Sequence, residues 1–219
     1  MGTSAYSTLF RQCIADLPGV PDPTLENALN NAAIALCRKS GIWRNTQSIL
    51  LVANEPYYAI DIPTGARLRQ IEAVKYGGLE IFPKTPAELD YLMPGWQAQV
   101  GGGVVFYFGE QTEDNGLALR AVPMPGTDQA GRELLVTASF VPLQNATTFD
   151  ADMMERYADA LCDGAKGALM RIPKQLWTDK DSAVDYDNQF KKSIDDARIE
   201  VLHGFMTGSV RARPRSFGS

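Results

Sequence analysis

The spacing of apolar residues changes period twice along this 219-residue chain. It is helical near the start, alternates by twos through the middle, and turns helical again towards the end. Strands that arrive in one block cannot build an interleaved parallel sheet, so helices and sheet must segregate into separate layers. The expected fold class is therefore α+β: a helical bundle from the N- and C-terminal helices with an inserted antiparallel β-module. The bundle takes residues 1–47 and 143–207, the β-module 48–142, and a basic flexible tail 208–219.

Residues 5–16 read as a short helix ended by Leu17-Pro18-Gly19. The next helix is better marked, with Asp22 as its cap, Pro23 at the first helical position and Gly41 as its stop. Arg38 and Lys39 stand near its negative pole. Leu25, Ala28, Leu29, Ala32, Ala33, Leu36 and Cys37 make one stripe, rich in alanine and so open to close approach by another helix. Trp43 reads as a core plug just past the helix end. Late in the chain, Asp150 is expected to cap a helix reaching about Ile172, where Pro173 stops it. A last helix from about Ser182 to Met206 places Ala183, Tyr186, Phe190, Ile194, Ala197, Val201 and Phe205 on one face.

Between these regions, Ile49–Val52 and Tyr57–Ile60 suggest paired strands around Asn54-Glu55-Pro56. Gln70–Tyr76 and Leu79–Phe82 flank Gly77-Gly78, a hairpin signal. Pro86–Leu92 reads as a short helix in a long excursion. Val104–Phe108, Leu117–Val122 and Leu134–Val141 complete an antiparallel sheet or small sandwich.

Motifs that would carry chemistry fail one by one. His203 is the only histidine, and no G-x-S-x-G elbow accompanies it; it reads as a helix-surface or helix-end residue. The acidic run Asp179, Asp181, Asp185, Asp187 lacks the EF-hand pattern, because Ala183 and Val184 fall where an oxygen ligand and Gly belong, so helix capping is the expectation. Gly101-Gly102-Gly103 precedes a strand, without the Lys and helix start of a phosphate loop. Tyr57, Tyr58, Trp96, Phe106, Tyr107 and Phe108 could form a stacking platform for a sugar or base. Alternatively they divide between the core and the sheet faces, or line a subunit interface. No catalytic residue, cofactor or metal is expected.

Charge and cysteine usage narrow the class further. Set apart the tail's three Arg, and 18 basic residues face 26 acidic ones, a net of −8. An acidic body argues against general nucleic-acid binding, which needs a basic face. Cys13, Cys37 and Cys162 all fall in helical patterns and suit a reducing compartment. No signal peptide is expected, since Arg11 and Asp16 interrupt the apolar N-terminal residues, and no apolar run reaches the ~20 residues of a membrane span. In the tail, Arg211, Arg213 and Arg215 alternate with small residues and Phe217 follows. Residues two apart in an extended chain point the same way. The three guanidinium groups and an apolar anchor at Phe217 thus form a candidate partner-binding motif for an acidic groove; a solubilising end is the other reading.

Several segments together resemble the head-to-tail adaptor proteins of short-tailed bacteriophages, the tail tubular protein A group. They are Leu36-Cys37-Arg38-Lys39-Ser40-Gly41 with Trp43, Tyr58-Ala59-Ile60-Asp61-Ile62-Pro63, Ile71-Glu72-Ala73-Val74, Ala121-Val122-Pro123-Met124-Pro125, Phe140-Val141-Pro142, and Tyr157 through Lys166, followed by the basic end. The resemblance implies a structural protein of the virion head–tail junction, assembled in the host cytoplasm. It implies self-association into a ring of twelve copies, with a portal protein and a tail nozzle protein as partners. DNA would pass through such a ring without sequence-specific binding, and like charge would keep the duplex from the wall. The competing readings are a virion-associated cell-wall hydrolase and a carbohydrate-binding module.

Overall fold

In the computed structural model, the residues described are 2–111 and 117–203. The chain opens with strand β1 (Thr3–Ala5), a 3-10 turn (Tyr6–Leu9) and helix α1 (Phe10–Ile14). Residues 5–16 are thus only partly helical. Tertiary pairing overrides the local pattern: β1 lies antiparallel to β9 (Thr148–Asp150), and Tyr6 N–H donates to Thr147 O at 3.2 Å.

Helix α2 spans Asp22–Ser40, with Pro21 in the cap position and Asp22 as its first residue. Gly41 ends it in the left-handed conformation (φ 67°), which costs a glycine little. Inside α2, the buried Asn30 is fully bonded. Its amide donates to Leu143 O (3.0 Å) and Gln144 O (2.6 Å), and its oxygen accepts from Tyr6 Oη (3.1 Å). One side chain thereby ties the helix to both neighbouring chain segments.

A seven-stranded sheet runs in the order β2-β8-β4-β5-β6-β7-β3 among the described residues. Its strands are β2 (Arg44–Leu50), β3 (Tyr57–Ala59), β4 (Ala66–Tyr76), β5 (Leu79–Pro83), β6 (Phe106–Gln111), β7 (Leu117–Val122) and β8 (Glu133–Pro142). The Gly-Gly hairpin forms as expected, with Tyr76 opposite Leu79 and both glycines at positive φ. All pairings are antiparallel except β5 with β6, because the excursion between these two returns the chain in the same direction. That excursion contains helix α3 (Pro86–Leu92) and a 3-10 turn (Trp96–Ala98).

The expected hairpin between 49–52 and 57–60 does not form: β2 pairs with β8 and β3 with β7, at opposite edges of the sheet. Seven flat strands would hold their outer members about 29 Å apart at ~4.8 Å per spacing. Residues 51–56 must bridge Leu50 to Tyr57, at most ~25 Å of extended chain. A flat sheet is therefore excluded; the sheet is curled and nearly closed, and the linker bonds to the loop beside it through Leu51 N to Arg132 O and Asn54 N to Pro125 O, each 2.9 Å. A single curled sheet replaces the expected sandwich option.

Two β-bulges in β4 promote the bend. Against β8 the register slips between Leu68 and Gln70 and again between Ile71 and Ala73, leaving Arg69 and Glu72 as extra residues. These two form an ion pair at 3.0 Å. Arg69 Nε also donates to Arg38 O in the last turn of α2 (3.0 Å).

The late helical region is α4 (Ala151–Arg156), α5 (Ala158–Met170) and α6 (Lys180–His203). Asp150 caps α4 as expected, its carboxylate accepting from Met153 N at 3.1 Å. The expected single helix breaks at Tyr157 (φ −114°). There the Tyr157 hydroxyl donates to Glu200 on α6 (2.7 Å) and Arg156 pairs with the same carboxylate, contacts that no local pattern encodes. Helices α2, α5 and α6 pack together, and one contiguous apolar core runs from them into the sheet. No described helix is long and apolar enough to cross a membrane.

Helices α2, α5 and α6 approach one another closely at Gly164. A Cβ there would stand 2.9 Å from Ala32 Cβ on α2 and 3.1 Å from the Phe190 ring on α6. Gly164→Val should therefore cost about 1–3 kcal/mol through overpacking, read as a lower urea midpoint with unchanged slope. Near the same seam, Lys166 Nζ meets Asp16 Oδ2 at 2.5 Å and the Tyr186 hydroxyl donates to the same oxygen at 3.0 Å. The Lys166 hydrogen bond holds the Asp16 carboxyl below its ordinary range. A depressed carboxyl contributes stability that is complete above its unfolded value and lost as pH falls through its folded value. The thermal-stability gap between wild type and Asp16→Asn should thus be present at neutral pH and close on acidification below about pH 4.

Candidate partner-binding surfaces

Strands β6, β7 and β3 have two differently used faces, set by the period of two. Tyr107, Leu119, Ala121 and Tyr58 point into the main core. Phe106, Phe108, Arg120, Val122 and Tyr57 alternate with them and point outwards. The excursion folds over much of this outer face, where Leu89 and Trp96 close a second, smaller core on Phe108 and Val122.

Arg120 sits in the middle of that cover. Its guanidinium lies 4.6 Å from the Trp96 ring centre, 5.0 Å from Tyr57 and 5.7 Å from Phe108. It donates to the Tyr57 hydroxyl at 2.9 Å and stands 3.8 Å from Glu110 Oε2. The Trp96 indole N–H donates to Asp90 at 2.9 Å, which fixes the ring to α3. A capping box between Thr85 and Glu88 starts α3, and Lys84 reinforces it from outside. The six aromatics proposed as a platform are thus divided: Tyr58 and Tyr107 enter the main core, Trp96 and Phe108 the small one, and Phe106 packs against it. Tyr57 alone is substantially exposed, beneath Arg120. No open stacking surface results from these residues.

The tip also exposes large apolar side chains among its polar ones. Tyr91 is 87% exposed, Phe82 62%, and Leu92 about half. Tyr91 and Leu92 border a shallow depression with Lys84, Ala87 and Glu88. Sequence reasoning missed this surface, because helical spacing marks α3 as amphipathic and cannot say which apolar residues stay outside.

A second apolar surface lies on the helical layer. Ile199 and Leu202 are exposed on the last turns of α6, with Leu202 at 73%. His203 is exposed there too, as expected. Asp179 serves as a cap, accepting from the backbone of Asp181 and Ser182 at 3.1 Å each. Gly101-Gly102-Gly103 is a turn at positive φ, with Gly101 N bonded to Met124 O (2.9 Å). Arg211, Arg213, Arg215 and Phe217 lie outside the described residues.

Arg120→Leu should loosen the tip, since it leaves the Tyr57 hydroxyl and Glu110 without their partner. The expected loss is about 1–3 kcal/mol in urea unfolding. Faster proteolysis within residues 84–105 should accompany it, and Arg120→Lys should restore only part, because a lysine cannot stack as a plane.

A family model described as SU10 adaptor protein matches residues 4–214. The match takes in both helical regions, the whole sheet, and the tail as far as Arg211 and Arg213. No curated protein matches the chain.

Proposed function

The chain belongs to the SU10 adaptor protein family, and from that premise we propose that it forms a ring joining a portal protein to a tail nozzle protein. Membership makes it a phage adaptor: a structural protein with a place in the virion and with protein partners. The adaptor class is what holds of the likeness to the tail tubular protein A group. The ring, its twelve copies and the two named partners belong to the proposal.

The observation that carries the reading is the pair of exposed apolar surfaces on different layers. One is the braced tip at Tyr91 and Leu92; the other is on α6 at Ile199 and Leu202. Exposed apolar residues grouped on a structural protein mark contact surfaces. We assign the tip to the nozzle side. The end of α6, with Arg211, Arg213, Arg215 and Phe217 beyond it, is assigned to the portal side. The helical regions 1–47 and 143–207 and the β-module 48–142 then act as the two working halves, and subunits meet one another through the helical layer. The acidic body, −8 without the tail, keeps passing DNA from adhering to the wall.

Residues 1–207, lacking the tail, should fold with unchanged circular dichroism yet fail to stack on portal rings in electron micrographs and sedimentation. Normal stacking by the shortened chain would remove the tail from the portal contact.

A further inference from the structure

Cys13 on α1 and Cys162 on α5 meet across the seam between the N-terminal segment and the bundle. Their Sγ atoms are 2.6 Å apart and share a hydrogen bond. Both are free thiols, and both are buried. That separation is well inside ordinary sulfur–sulfur contact and within a small side-chain adjustment of the ~2.05 Å disulfide bond.

The seam holds charge as well. Lys166 is one turn along α5 from Cys162, and Asp16 is three residues past Cys13; their ion pair closes beside the thiols. The hydrogen bond with Cys162 lowers the Cys13 thiol from its ordinary value; burial opposes this, and the Lys166 ammonium adds to the lowering. Cys37 is a different case. Burial pushes its thiol up to about 12, so it stays protonated.

We propose that Cys13 and Cys162 form a modification site: a reversible intrachain disulfide, made by a small peroxide, that staples the N-terminal segment to α5. Cys13 thiolate attacks the peroxide O–O bond, giving a Cys13 sulfenic acid and, with one proton, water. The Cys162 sulfur then displaces the sulfenic oxygen, which leaves as a second water with the remaining protons. Two thiols and one hydrogen peroxide become one disulfide and two waters. A small oxidant suits a site this buried, which it reaches when the short helix α1 (five residues) opens locally. The cross-link joins residues 149 apart in sequence, so it restricts the unfolded chain strongly. A virion protein assembled in a reducing cytoplasm carries the dithiol there and acquires the staple in oxidising surroundings.

The test uses the full-length chain, reduced, desalted and exposed to hydrogen peroxide. Free thiols titrated in denaturant should fall from three to one, and a peptide map without reductant should show Cys13 linked to Cys162. The melting temperature should rise and return on adding a phosphine reductant. Cys37→Ala should keep the link and titrate from two thiols to none. Three thiols remaining, a link through Cys37 or between two chains, or oxidation of Cys13 to sulfinic acid without a link would each overturn the proposal.

Discussion

The double bulge in β4 is the irregularity on which the architecture turns. Arg69 and Glu72 are the residues left out of the ladder with β8, and a residue left out of a ladder can be re-aimed. Both reach the C-terminal end of α2. Arg69 donates to Arg38 O, bonds to Glu72 and also donates to Ser139 Oγ at 3.2 Å. Arg69 thus supplies a donor where the last turn of a helix lacks one. The same bulges sharpen the bend that lets six linker residues join the sheet's outer strands. Curvature of the sheet and docking of the first long helix therefore have one local cause. Gly41 sits inside this arrangement: a Cβ there would lie 3.2 Å from the Arg69 guanidinium, and its φ already excludes most side chains.

Sequence pattern alone yields most of the helices and strands but not their partners. Pro86–Leu92 and Leu117–Val122 coincide with α3 and β7, because each is bounded by residues that stop its element. The Gly77-Gly78 hairpin is equally local. Pairing of β2 with β8 and of β3 with β7 depends on contacts across most of the chain, and nothing within 49–60 distinguishes it from a hairpin. The break at Tyr157 is invisible for the same reason, since Glu200 on another helix holds Arg156 and Tyr157. The meeting of Cys13 with Cys162 likewise follows from packing, although each cysteine is correctly placed in a helix.

The outer face of β6, β7 and β3 shows why a group of aromatic residues is ambiguous in sequence. Their alternation is visible, yet whether the outer set faces solvent depends on where residues 84–105 fold. Once that excursion lies over the sheet, an arginine among aromatics becomes a brace. Its charge is held by ring faces, by the Tyr57 hydroxyl and by Glu110, so it need not be exposed. The tip is built like a small domain of its own, with Leu89, Trp96, Phe108 and Val122 at its centre.

The proposed contact surfaces require apolar side chains that stay out of the chain's own core. The two layers do this differently. In α3, the inward positions are already occupied by Leu89, while the capping box and the Trp96–Asp90 bond fix the helix so that Tyr91 cannot turn inwards. In α6, Ala183, Ile194 and Ala197 complete the stripe that packs on α2 and α5. Ile199 stands two residues past Ala197 and so points nearly the opposite way at 100° per residue. The surplus apolar residues are therefore excluded by helix geometry rather than by lack of space.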